Sequence, residues 1–273
     1  MKDYLINKTN QTIYKFNEEL TGENVIEIEN LVTILGGKTI HKNVNLSIKK
    51  GESSIIIGGS GSGKSVLLKV MVGLIKAYSG KVRLLGHDIV KATDKQLWDI
   101  AKDIGVLFQG GALFDSMTIN DNVAFLLRRF TNKNENEIKK IVKEKLEQVG
   151  LTDVENKMPS EISVGMAKRA GLARAIVLDP KIIFYDEPTT GLDPVMADNI
   201  NDLILKLQRE LNITSIVVTH DMESAYKVGN KISMLYEGGM IFTGTPLEIK
   251  KSDNIYVQKF INGDSEGLGE VIG

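Results

Sequence analysis

The most constraining stretch of this chain runs from residue 53 to residue 75. Ser53-Ser54-Ile55-Ile56-Ile57 has the character of a buried strand, Gly58-Gly59-Ser60-Gly61-Ser62-Gly63-Lys64-Ser65 follows at once, and an apolar-periodic segment from Val66 to Ile75 comes next. Strand, glycine-rich loop and helix in that order make one unit of a parallel α/β sheet. The eight loop residues fit G-x-x-x-x-G-K-[ST]. Glycines there let the backbone curl so that its N–H groups point at the α- and β-phosphates of a nucleotide, and the helix N-terminus behind them adds a favourable dipole. Lys64 is expected to reach the β- and γ-phosphates. Ser65 is the expected direct Mg²⁺ ligand, because Mg²⁺ takes hard oxygens alongside water and substrate phosphates.

The remaining periodicities supply a sheet for that unit. Segments 25–34 and 40–48 have strand character and end in the turn Lys49-Lys50-Gly51, as edge strands would. Strands at 181–186 and 213–219 flank a helix whose Ile200, Leu203, Ile204, Leu207 and Leu211 form one 3.6-period face. Two short strands are expected around Glu237-Gly238-Gly239 and a helix over 245–262. Strand character fades between 110 and 170, where Ile138, Ile141, Val142, Leu146 and Val149 share a helical stripe. The expected fold class is therefore α/β, with a mostly parallel core sheet, an antiparallel β edge region and a helical subdomain.

Ile182-Ile183-Phe184-Tyr185 closes on Asp186 and Glu187, at the C-terminal edge of a parallel strand where ligands bind. Such a pair alone equally describes a solvated strand end; behind a phosphate loop it reads as a metal site. Asp186 is then expected to hold Mg²⁺, through water, and Glu187 to polarise or deprotonate an attacking water. A net charge of -1 offers no basic field, so nucleic acid is not an expected partner. The absence of cysteine excludes disulfides and thiolate metal sites and fits a reducing, cytoplasmic setting. The apolar runs are far shorter than the ~20 residues that span a bilayer, and the first residues lack the apolar region of a secretory signal.

Ile162-Ser163-Val164-Gly165-Met166, about twenty residues before Asp186 and opening a helix expected over Ala167–Val177, resembles the LSGGQ signature of ABC ATPases. Gln109, Asp193 and His220 fall in the order that family expects for its glutamine loop, its aspartate loop and its terminal histidine. The resemblance covers roughly residues 24 to 262. It implies a P-loop NTPase ABC cassette over 23–263, with a RecA-like core at 23–109 and 175–263 and a helical subdomain at about 110–174, between an N-terminal extension (1–22) and a C-terminal tail (264–273). It further implies a head-to-tail homodimer that hydrolyses ATP with Mg²⁺. Each nucleotide would lie between the loop Gly58, Gly59, Ser60, Gly61, Ser62, Gly63, Lys64, Ser65 of one subunit and Ser163 and Gly165 of the other, with Asp193 nearby. By the same resemblance Glu187, His220 and Gln109 are catalytic, and Ser65, Gln109 and Asp186 hold Mg²⁺. His41 and His87 read as ordinary strand-end histidines.

Two positions depart from the family pattern. Val164 stands where the signature has its first glycine, and a β-branched residue neither takes positive φ cheaply nor lets a phosphate approach as closely, which raises the expectation of a throttled site; the alternative is negative φ with the side chain turned away. Leu35, before Gly36, stands where an aromatic residue usually stacks on adenine. Within the family, residues 109–117, 162–170 with Met166, and 257–263 resemble the ATPases of Mla/Mce-type lipid transporters. That implies lipid cargo reached through an integral membrane permease, an MCE-type substrate-binding protein, and a peripheral position on the cytoplasmic face of the inner membrane. The ATPase of a polar-solute importer would carry the same nucleotide motifs. A non-transport ABC protein usually has two cassettes or a long coiled coil, and a non-hydrolysing switch would lack the glutamate that Glu187 supplies.

Overall fold

The described part of the chain, residues 23–264 of this computed structural model, opens with β1 (Asn24–Leu35) and β2 (Lys38–Lys49) paired antiparallel. The extension 1–22 and the tail after residue 264 lie outside the described residues. β3 (Ser53–Ile57) follows, then α1 (Lys64–Met71), β4 (Ser79–Leu84), β5 (His87–Asp88), α2 (Asp94–Ile100) and β6 (Ile104–Leu107). A helical stretch comes next: α3 (Ile119–Phe130), α4 (Glu135–Gln148) and α5 (Val164–Ile176). The chain then alternates β7 (Ile182–Asp186), α6 (Pro194–Leu211), β8 (Thr214–Thr219), α7 (Met222–Val228) and β9 (Lys231–Tyr236), and ends in β10 (Gly239–Gly244), α8 (Pro246–Lys250) and α9 (Ile255–Ile261).

Among the described residues the strands form two sheets. One is antiparallel in the order β2-β1-β4-β5; the other runs β10-β9-β3-β8-β7-β6, parallel except for β10. The first two strands thus belong to a separate sheet with β4 and β5, in which β2 is an edge and β1 is interior, rather than to the edge of the parallel sheet. Strands buried on both faces read as continuous apolar runs, and Ile55, Ile56 and Ile57 are all fully buried. Alternation sends Ile55, Ile57, Ile183 and Tyr185 into a layer shared with α3 to α7, and Ile56, Ile182 and Phe184 into a layer shared with α1 and the antiparallel sheet. Each such side chain contributes about 1.5–3 kcal/mol of burial, so the parallel sheet is held rigidly between two covers.

Three helix boundaries differ from the sequence expectation. α1 stops at Met71 although apolar spacing continues to Ile75, because Gly73 takes a left-handed φ of 79° and the Lys69 carbonyl collects the N–H groups of Leu74 and Ile75. α5 begins at Val164, three residues before Ala167, because the Ser163 hydroxyl caps it by accepting from the Met166 N–H. The single helix expected over 245–262 is two, since Asn254 accepts from the N–H groups of Tyr256 and Val257 and starts α9 afresh. The expected stripe on α4 holds, with Ile138, Val142 and Leu146 buried against α3 and α5.

Candidate active site

β3, β7 and β8 run side by side, with Ile57 opposite Thr219 and Asp186 opposite Val218. Whatever follows their C-terminal ends must therefore meet, and three segments far apart in sequence do: 58–65, 186–187 and 219–220. Gly58 is pinned at the base, where a Cβ would lie 2.4 Å from the Leu235 carbonyl oxygen. Gly63 caps α1 with φ 99° and no side chain to satisfy the first N–H groups, and the first turn carries no acidic residue. By contrast α2 and α4 begin with capping boxes from Thr93 and Asn134. The start of α1 thus keeps its donors and its dipole for an anion, while Ser60 and Gly61 form the exposed crest of the loop.

Lys64 is buried beneath this loop. Its ammonium donates to the carbonyls of Gly58 (2.9 Å) and Gly59 (3.0 Å) and lies 3.9 Å from Glu187 Oε1. Burial lowers its pKa, and the carboxylates of Glu187 and Asp186 act in the opposite direction. Next to it the Ser65 hydroxyl donates to Asp186 Oδ1 at 2.7 Å, so two of the three expected metal ligands are already adjacent. A hydroxyl and a carboxylate are hard oxygen donors that suit Mg²⁺. Among the described residues no cluster of three or more His, Asp or Glu side chains is placed to hold a metal ion.

Glu187 has an unusual backbone. Its φ is 49°, a left-handed conformation that costs a non-glycine residue ~1–2 kcal/mol, and it precedes Pro188, which favours extended geometry instead. The Glu187 N–H donates to the Val218 carbonyl (2.9 Å), which holds the turn against β8. Its Oε2 accepts from His220 Nδ1 (2.9 Å), Thr190 Oγ1 (3.0 Å) and Thr219 Oγ1 (3.5 Å). Oε1 is left facing Lys64. Strain of this kind persists where the surroundings over-determine it, commonly at functional sites.

The other expected site residues stand apart from this cluster. Gln109 lies exposed in the turn after β6, beside β7, and among the described residues no hydrogen bond joins it to Ser65 or Asp186. Ser163 and Asp193 cap α5 and α6 respectively, Asp193 accepting from the N–H groups of Val195 and Met196. Gly165 is buried, and a Cβ there would meet Met196 Cε at 2.5 Å. Val164 is the first residue of α5, is not among the positive-φ residues and is 59% exposed, so the strain that would throttle the site is absent. Val164→Gly is accordingly expected to leave the ATPase rate unchanged; a faster variant would contradict this.

Two residues escape the sequence reading. His41 sits inside β2 rather than at a strand end; it is fully buried, and its Nε2–H donates to the Gly63 carbonyl (3.1 Å) across the gap between the sheets. Burial pushes its pKa down, and among the described residues Nδ1 has no partner. Lys168 of α5, which sequence leaves as one more helical cation, is buried and donates to carbonyls in the turn after Glu187.

With this geometry in view, the ABC transporter family matches residues 41–190. The chain is 42% identical over 245 residues to the intermembrane phospholipid transport system ATP-binding protein MlaF of Haemophilus influenzae, covering 90% of this chain and 93% of that one. It is 44% identical over 238 residues to a probable ribonucleotide transport ATP-binding protein, mkl, of Mycobacterium leprae, covering 87% and 69%. A solved bacterial ABC transporter cassette, described as dimeric, superposes with a TM-score of 0.75 at 33% identity, covering 81% of this chain and 98% of that chain.

Proposed function

The chain belongs to the ABC transporter family as an ATP-hydrolysing subunit, and on that premise we propose that two copies pair head to tail and drive phospholipid transport through a membrane permease. The observation that carries the catalytic part is the Lys64–Glu187–His220 cluster beside the Ser65–Asp186 pair, all at the C-terminal ends of three adjacent strands. In this reading the residues 58–65 and the start of α1 wrap the phosphates, and Lys64 moves its donors from the Gly58 and Gly59 carbonyls toward the β- and γ-phosphates. Ser65 and Asp186 would hold Mg²⁺ with Gln109 arriving from the neighbouring strand end. The ion supplies charge neutralisation on the phosphates.

Glu187 acts through Oε1, the oxygen its three other donors leave open, accepting a proton from the attacking water. A carboxylate only accepts, so His220 carries its proton on Nδ1 in the Glu187 contact. Nε2 can then donate to a γ-phosphate oxygen only when both ring nitrogens carry protons. Hydrolysis would break several of these contacts at once. Ser163, Gly165 and the first turn of α5 would meet the partner's nucleotide, consistent with the exposure of Ser163 and Val164. Among the described residues no hydrogen bond links the signature to the chain's own phosphate loop. Residues 23–109 and 175–263 then serve as the nucleotide-binding core and about 110–174 as the helical part that follows the permease.

The adenine would rest near the tip of the β1–β2 hairpin, because Ile40 and His41 abut Gly63 while Leu35, Gly36 and Gly37 form the adjoining turn. With Leu35 in place of an aromatic residue the base loses a stack worth about 0.5–1.5 kcal/mol. ATP and GTP are expected to bind within tenfold of each other; a larger ATP preference in a titration would count against this.

Phospholipid cargo is supported by the Haemophilus relative's name and by the Mla/Mce-like residues 109–117 and 162–170. Among the described residues no helix is long and apolar enough to cross a membrane, so contact with the bilayer would come through the permease, with an MCE-type protein delivering lipid. The membrane association would be peripheral, on the cytoplasmic face of the inner membrane. Purifying the chain from membranes with its partner and identifying bound small molecules tests this. Phospholipid is the expected result; a ribonucleotide or another polar solute, as the mycobacterial relative's name suggests, would support an importer instead.

A further inference from the structure

We propose that Lys168 is a positioning residue that couples the two nucleotide sites of the dimer. Its side chain leaves the middle of α5 and is 2% exposed, yet among the described residues it makes no ion pair. Instead the ammonium donates to three backbone carbonyls in one turn: Pro188 (2.8 Å), Thr190 (2.8 Å) and Glu187 (3.4 Å). An ammonium has three N–H donors, and the turn supplies three acceptors. Burying an unpaired cation is costly, and burial lowers its pKa while the Glu187 carboxylate acts in the opposite direction. An apolar side chain would fill the same space but leave those carbonyls without their donor, so the use of the ammonium is to fix that turn.

That use follows from what the turn contains. It carries Glu187 in its left-handed backbone, and the Glu187 carbonyl is one of the three acceptors. Five residues before Lys168 on the same helix system stands Ser163, the α5 cap at the signature. A rigid helix with one end at the signature and its middle tied to the catalytic turn transmits any displacement of the first to the second. Further along, Arg174 donates to the Gly111 carbonyl (2.9 Å), so the turn after Gln109 follows the same rod. In the head-to-tail reading on which this inference rests, the signature faces the partner's nucleotide and Glu187 serves the chain's own. Lys168 therefore reports the occupancy of one site to the geometry of the other.

The test uses the full chain, with ATPase rate measured against ATP concentration and nucleotide binding to the monomer measured by fluorescence. Lys168→Met is expected to keep monomer affinity, to lower kcat about a hundredfold, as ångström-scale misplacement of a catalytic group does, and to bring the Hill coefficient from near 2, the limit for two sites, to near 1. Lys168→Arg, which keeps charge and several donors, is expected to restore both. If Lys168→Met fails to fold, Lys168→Gln serves in its place, with two donors and no charge; its kcat should fall by up to about a hundredfold and its Hill coefficient should lie below that of wild type, toward 1. Wild-type cooperativity and kcat in the Met or Gln variant, or a loss confined to affinity, would overturn the proposal. Glu187→Gln with ATP on a sizing column separates the two readings: a dimer there leaves only the role of Lys168 at stake, whereas a monomer removes the head-to-tail arrangement and the coupling with it.

Discussion

Glu187→Gln is expected to lower ATP turnover by about 10²–10⁴-fold, the range that a positioned general base contributes, while ATP binding persists and the ATP-bound dimer lives longer. The amide is isosteric, so its oxygen can still accept from His220, Thr190 and Thr219, whose donors meet Glu187 Oε2 in the native chain. The left-handed turn would remain, because it is held through the Glu187 N–H to Val218 and the Glu187 carbonyl to the Lys168 ammonium rather than through the carboxylate. What disappears is the basic oxygen facing the nucleotide. Phosphate release and gel filtration with ATP check both halves, and a variant that hydrolyses within tenfold of wild type would remove Glu187 from the role of base.

Lys64→Met should act at the preceding step, on nucleotide affinity. A charged hydrogen bond is worth about 1.5–3 kcal/mol, so losing the ammonium from the phosphates predicts ~10- to 150-fold weaker ATP binding. The methionine fills the buried space beneath the loop but leaves the Gly58 and Gly59 carbonyls without their donor. Glu187 also loses the Lys64 ammonium 3.9 Å from its Oε1. Turnover at saturating ATP should fall as well. Titration with a fluorescent nucleotide measures the first effect, and an unchanged Kd would contradict the assignment of Lys64 to the phosphates.

The parts of this site that were legible in the sequence are those encoded by short-range pattern. Residues 53–65 specify strand, loop and helix within a dozen positions, and the apolar run 182–185 delivers Asp186 and Glu187 to a strand end by period alone. The parallel sheet then brings Ser65 against Asp186 across 121 positions of sequence, because both follow neighbouring strand ends. His41 was not legible, since its contact with Gly63 depends on how the antiparallel sheet rests on the parallel one. Lys168 was not legible either; a cation on a helix reads as solvated until α5 is known to lie over the turn at 187–190. The concern over Val164 dissolved for a local reason that spacing does not reveal, namely that Ser163 caps the helix and leaves Val164 with ordinary helical backbone. Among the described residues no hydrogen bond joins Gln109 or the signature to Ser65 or Lys64, so their place in the site rests on motif order rather than on contact.

The proposed activity is ATP-driven movement of phospholipid by this chain. Its most direct test is ATP-dependent transfer of a fluorescent phospholipid by the chain reconstituted with its co-purified membrane partner in phospholipid vesicles. Transfer that requires ATP and stops with Glu187→Gln is the predicted result. ATP hydrolysis that proceeds without lipid movement and is stimulated by a polar solute would contradict it.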